Sequence, residues 1–158
     1  MDGIEFTVLG TPAPKGSSRA FVVPGTNRAV VAPSGSAKNK QTLRSWDQAV
    51  RLVVNEITRG QPGPLFVETP VAVVIVFRLA RPSGHWGKKG LKPSAPGWPG
   101  TKPDLDKLAR ATCDSLHGTV YDDDSRIVHL TVMKQYAAPG DEGATISVKP
   151  IHDTQKGT

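Results

Sequence analysis

Six of the fourteen acidic residues in this 158-residue chain fall between positions 104 and 124, although the formal net charge of the protein is +6. They are Asp104, Asp106, Asp114, Asp122, Asp123 and Asp124. Clustered carboxylates repel one another and are costly to hold together unless a cation sits among them. A basic chain that gathers its acids at one place therefore points to a metal site facing a polyanion, and nucleic acid is the polyanion its charge favours.

A helix turns about 100° per residue, so Asp104 and Asp106 diverge if both lie inside one. They make sense together at a helix boundary. Pro103 biases Lys102 toward an extended conformation, leaving Asp104 at the cap and Asp106 in the first turn. Both carboxylates would then lie at the positive end of the helix dipole, converging on one point. The plainer alternative makes Asp104 an ordinary N-cap and Asp106 a first-turn acid paired with Arg110, with Asp114 pairing to Arg110 one turn on. The spacing of Asp122 and Asp124 invites a calcium-loop reading. Ile127 stands where that loop needs Gly, and no Glu follows at the required position, so calcium sensing is rejected.

The elements that must position these acids form one domain, expected over 1–150, with a flexible tail over 151–158. Ile4, Phe6 and Val8 alternate with polar neighbours as a first strand, and Phe21 to Val23 with Ala29 to Ala32 suit a hairpin. Leu43, Trp46, Val50, Val53 and Ile57 recur at helical spacing, with Gly60 as a stop and a basic outer face. Thr69 through Leu79 is β-branched and apolar, the pattern of a central strand buried on both faces. Leu105, Leu108, Ala109, Thr112, Cys113 and Leu116 mark a helix with one buried face that ends before Gly118. Val128, Leu130 and Val132 alternate along a further strand, and Ala144 to Val148 supplies the last. The expected fold class is α+β, a mixed sheet packed by two main helices.

From Arg81 to Lys102 the chain is rich in Gly and Pro. It carries Trp86, Trp98, Lys88, Lys89, Lys92 and Lys102 without a single acid. Interleaved basic and aromatic residues on a long loop suit phosphate contact and base stacking; a solvated linker is the bland alternative. Lys15 and Arg19 follow the Pro12 and Pro14 turn as further candidate phosphate contacts. The lone Cys113 excludes an internal disulfide and a thiolate zinc site, and reads as a small core residue. No secretion signal is visible in the first residues, and Val71 to Phe77 is too short to span a bilayer, so a cytoplasmic protein is expected. No nucleotide-binding Gly loop or Ser/His/Asp arrangement is present, and the four His are scattered singly, which argues against nucleotide cofactors.

The acidic segment resembles the RusA-type Holliday-junction resolvases, a phage and prophage endonuclease family with a core of Asp-Leu-Asp-Asn-Leu-x-Lys, then Asp-Ala-Leu, then Asp-Asp-x-Gln-Val. The corresponding stretches here are Asp104 to Arg110, Asp114 to Leu116 and Asp123 to Ile127, in register. The opening from Phe6 to Gly16 is also similar to that of many phage members. The resemblance implies an endonuclease acting on four-way junctions, with Asp104, Asp106 and Asp124 as catalytic magnesium ligands and Asp123 as a further candidate. It places Arg110 where the family has a Lys important for activity, and it implies a homodimer in a bacterial host cell. Lys107 replaces the usual Asn and Arg126 the usual Gln; both add positive charge and join Lys15, Arg19, Trp86, Lys88, Lys89, Lys92 and Lys102 as candidate DNA contacts. Two rivals stay open. One is a nuclease of this fold acting more broadly on forks or flaps, the other a catalytically silent DNA-binding protein that uses its acids for structure.

Overall fold

The computed structural model describes residues 2–16, 18–22, 24–25, 27–33, 37–59 and 61–153, with the side chains of 18–22 and 29–33 left aside. The Arg19 side chain, Gly60 and most of the expected tail therefore lie outside the described residues. The chain runs β1 (Ile4–Leu9), β2 (Ser18–Val22), β3 (Ala29–Pro33), α1 (Ala37–Ile57), β4 (Val71–Leu79), β5 (Trp86–Gly87), β6 (Gly90–Leu91), α2 (Leu105–Leu116), β7 (Ile127–Tyr136) and β8 (Gly143–Pro150). Short 3-10 turns cover Ser83–His85 and Asp124–Arg126. The architecture is α+β, with a four-stranded mixed sheet in the order β1-β8-β4-β7 and two separate two-stranded pairs, β2-β3 and β5-β6.

Strand β8 pairs antiparallel with both β1 and β4, whereas β7 runs parallel to β4 at the sheet edge. Register puts Phe6 opposite Ile146, and Ile146 opposite Ile75, so one face carries Phe6, Val8, Val71, Val73, Ile75, Phe77, Ile146 and Val148 into the core. Gly143 opens β8 with its backbone against the Val8 carbonyl, where a Cβ would meet the oxygen at 2.0 Å. Any side chain there would force β1 off the sheet.

Both helices cover that same face. Trp46, Val50 and Val54 of α1 and Leu108, Thr112, Cys113 and Leu116 of α2 complete the core. The buried Trp46 indole donates to Thr112 Oγ1 at 3.0 Å, and Ser115 Oγ donates to Asp47 Oδ1 at 2.6 Å, fixing the helices to each other with satisfied polar groups. No helix among the described residues is long and apolar enough to cross a membrane.

Two sequence expectations change. Strand β4 is buried on one face only: burial alternates along it, and Val74 on the other face is 39 % exposed. A run of β-branched residues reads as doubly covered, but both helices lie on the same side of this sheet. In α1 the buried stripe is Trp46, Val50 and Val54, while Ile57 is largely exposed. By angle Ile57 stays on the face of Trp46 and Val50, but it is the last residue of the helix, beyond the end of the buried stripe. Lys38, Lys40 and Arg44 do form an exposed basic surface on this helix.

Candidate active site

Helix α2 begins as the carboxylates required, with Asp104 in extended conformation as its N-cap and Asp106 in its first turn. The Asp104 carboxylate makes no capping hydrogen bond and lies 3.3 Å from Lys107 Nζ. Asp106 is exposed and has neither an ion pair to Arg110 nor any other partner among the described residues. The plainer alternative therefore fails for both residues. So does convergence of the pair on one point, because Asp104 faces Lys107 while Asp106 opens into a cleft.

That cleft, of about 820 Å³, runs between α2 and the first half of β7. Asp106, Arg110, Cys113 and Asp114 line it from the helix, Asp124 from the turn before β7, and Lys15 from the segment after β1. Its floor is apolar, built by Val128, Leu130 and Val132. The 3-10 turn Asp124–Arg126 is held by Asp123, whose Oδ1 accepts from the Ser125 amide at 2.8 Å. The Ser125 hydroxyl and then its amide hold the Asp123 carboxyl below the usual carboxylate range, and the amide bond makes Asp123 a local cap. Asp124 is left facing the cleft, with Oδ1 3.3 Å from His117 Nδ1.

Lys15 enters the site on two anchors. Its backbone amide donates to the Lys107 carbonyl at 3.0 Å, and its ammonium pairs with Asp114. The alternative that pairs Asp114 with Arg110 is thus set aside: Lys15 takes the carboxylate, and Arg110 is exposed with no ion pair among the described residues. Arg126 has a partner of its own. It grips Asp122 with Nε to Oδ1 at 2.9 Å and Nη2 to Oδ2 at 3.0 Å, a bidentate pair that occupies the guanidinium. Asp122 also accepts from the Glu68 amide at 3.3 Å, fastening the turn to the segment before β4.

The Arg126 guanidinium, with the Glu68 amide, lowers the Asp122 carboxyl to about 2 from an ordinary 3.8. A depressed folded pKa contributes stability that is present above the unfolded value and lost as pH falls through the folded one. Asp122→Asn should therefore lower the melting temperature near neutrality. The difference from wild type should vanish between about pH 4 and about pH 2. Melting curves across that window check this, and a difference that persists unchanged at the acid end would remove the pair from the acid response.

The segment from Arg81 to Lys102 is a folded arm. Arg81 stacks on the Tyr136 ring at 4.2 Å from its centroid, and His85 meets the same ring edge-on at 5.5 Å. Arg81 Nη1 donates to the Pro96 carbonyl at 2.7 Å. Strands β5 and β6 place Trp86 opposite Leu91, with Lys88 and Lys89 in the turn between them. Trp98 is 62 % exposed, and Lys88, Lys89, Lys92 and Lys102 are exposed too. Lys134 Nζ donates to the carbonyls of Thr101 and Pro103 at 2.6 and 2.8 Å, tying the end of the arm to β7 just before Asp104.

Carboxylates and cations on one cleft, beside a basic aromatic arm, invite comparison with known nucleases. Residues 20–149 match the family described as Endodeoxyribonuclease RusA, a span that runs from β2 through most of β8. The chain belongs to the RusA endodeoxyribonuclease family. It is also 33 % identical over 140 residues to the uncharacterized protein YqaN of Bacillus subtilis strain 168, covering 87 % of this chain and 90 % of that protein.

RusA nucleases generally depend on a divalent metal. Among the described residues no three His, Cys, Asp or Glu side chains stand close enough together to hold an ion. Asp106 opens α2 and Asp124 stands beside its C-cap His117, about 16 Å of helix away, so the two carboxylates do not converge on one magnesium ion in this structure. That ion takes hard oxygen donors, keeps several waters, and is commonly held by one or two carboxylates together with substrate phosphate. His117 and Lys134 escaped the sequence reading. His117 carried one legible signal: eleven residues after Asp106, it falls within about 20° of the same helix face.

Proposed function

We propose that this RusA-family protein is a magnesium-dependent endonuclease that cuts branched DNA, four-way junctions foremost, by paired nicks from a homodimer. The observation that carries this reading is one cleft bearing three carboxylates, Asp106, Asp114 and Asp124, and two cations, Lys15 and Arg110. By the family resemblance Asp104, Asp106 and Asp124 are the residues that would hold the metal, although here Asp104 pairs with Lys107 and Asp124 stands beside His117. Bound there, magnesium supplies an activated water and neutralises charge developing on the phosphate. Arg110 and Lys15 bind and orient the scissile phosphodiester through its non-bridging oxygens, where their fixed positive charge favours the transition state. Asp114 keeps the Lys15 ammonium in place for that task.

The arm supplies DNA affinity and branch preference. Lys88, Lys89, Lys92 and Lys102 suit phosphates, while exposed Trp86 and Trp98 suit unstacked bases. Two-fold symmetry suits a junction, since two sites then face opposed strands. The test is a gel of purified protein with a synthetic four-way junction and the matching linear duplex, with and without magnesium. Nicking of the junction only, and only with the metal, supports the reading. Equal cutting of forks and flaps replaces it with a broader nuclease, and junction binding without cutting replaces it with a silent binder. In light scattering the mass should be about twice the 16.8 kDa of the chain. A strict monomer with and without DNA removes the paired-nick mechanism.

A further inference from the structure

We infer that Arg81 and Tyr136 are positioning residues that set the preference for branched over linear DNA by holding the arm in a preset shape, which rests on the arm's proposed role in DNA binding. Over 81–102 only Pro99 is buried, so the arm has no apolar core of its own to fold around. Strands β5 and β6 contribute two residues each, and a pair that short is not stable alone in water. Its support must come from outside the hairpin.

The Tyr136 ring is that support. It closes β7, where pairing with Leu79 places it beside the point at which the chain leaves β4 for the arm. The Arg81 guanidinium lies over the ring at 4.2 Å from its centroid, and the His85 ring meets it edge-on. From that stacked position Arg81 Nη1 donates to the Pro96 carbonyl at 2.7 Å and stands 3.4 Å from His85 Nδ1. One side chain thus ties the start of the arm to its return limb, 15 residues on. The His85 carbonyl accepts from the Lys92 amide at 2.9 Å, which seats the β5-β6 hairpin on the same base. Trp86 follows His85 directly, and Trp98 comes just after Pro96.

The clasp divides the cations of the arm into two kinds. Lys88, Lys89, Lys92 and Lys102 are exposed and enter no ion pair among the described residues, so they are available to phosphates. Arg81 is half-buried, with its guanidinium already engaged by a ring and a carbonyl. Only arginine suits that place, because a planar guanidinium stacks by its face and donates from its edge, whereas an ammonium is a point charge. A prefolded arm presents Trp86 and Trp98 to the branch without an ordering cost at binding, which would otherwise be subtracted from the stacking gain. Non-specific attraction depends on charge and does not need the clasp.

The test uses the full chain and measures affinity for a synthetic four-way junction and the matching linear duplex at several salt concentrations. Arg81→Lys keeps the charge, yet should lower the junction-over-duplex preference as far as Trp86→Ala does, by roughly 5- to 150-fold, the factor that stacking on one base supplies. Its salt slope should match that of the wild type. Tyr136→Leu should do the same, whereas Tyr136→Phe, which keeps the ring, should retain the preference. In a background of Trp86→Ala with Trp98→Ala, Arg81→Lys should have no further effect, since the clasp acts through those rings. Neither Arg81 nor Tyr136 belongs to the core, so each variant should fold; circular dichroism checks this, and faster trypsin cleavage after Lys88 and Lys89 reports the loosened arm. Wild-type preference in Arg81→Lys and Tyr136→Leu, with the double tryptophan variant clearly reduced, overturns the inference alone. If the double tryptophan variant also keeps its preference, the proposed role of the arm falls with it.

Discussion

Asp106→Asn and Asp124→Asn should each abolish magnesium-dependent cleavage of a four-way junction while leaving the protein folded and able to bind DNA. Both residues line the cleft, Asp106 without an ion pair among the described residues and Asp124 with only His117. Neither carboxylate is buried in the core, so an isosteric amide costs little stability. The metal they would hold contributes several kcal/mol to the transition state, so losing it should slow cleavage by roughly a thousandfold. Junction affinity should hold or rise, because each change removes a negative charge facing the phosphates. Asp104→Asn follows the same expectation and also releases Lys107. Single-turnover cleavage and a binding titration on one preparation decide the matter, and near wild-type cutting by Asp106→Asn would sink the assignment.

The second large effect belongs to the arm. Replacing Lys88, Lys89 and Lys92 with Ala should weaken binding to junction and duplex alike. It should also make the salt dependence shallower, by about 0.9 in the logarithmic slope for each lost phosphate contact. Trp86→Ala or Trp98→Ala should act differently, reducing preference for the junction over linear DNA. Stacking on an exposed base contributes roughly 1–3 kcal/mol and is available where bases are already unpaired. Affinity measured at several salt concentrations on both substrates separates the two classes. If the triple lysine variant keeps both its affinity and its salt slope, the arm does not touch DNA, and the contacts must lie at Lys15, Arg19 and the basic face of α1.

How much of this was legible in the sequence depends on the range of the interactions concerned. Strand β1, the β2-β3 hairpin and helix α2 are local patterns of alternation or helical stripe, and all three are present, with Gly118 just past the end of α2 as expected. The central place of β4 was legible too, but not the bareness of its second face, because composition does not reveal on which side two helices settle. At the site, Asp106 and Asp124 were singled out by the family resemblance, and both line the cleft. Their surroundings were not legible. The partnership of Lys15 with Asp114 spans 99 residues, and that of Arg126 with Asp122 had to compete with a phosphate-binding reading of the same charge. The arm read as a loop because its two strands have two residues each, too short for any period to register.

Strand β7 carries Asp124 just before its first residue. Its other end carries Lys134 and Tyr136, the residues that clasp the two ends of the arm. Apart from a register shift at Val128, near its first residue, it is paired along that length with β4 in the middle of the sheet. A ladder of this kind does not stretch. The element suited to sense a branch point and the one suited to cut are therefore mounted on opposite ends of a single stiff rod. On such a frame the distance from branch to nick is a property of the protein, a ruler counted in nucleotides, and it should stay constant when the sequence around the junction is changed.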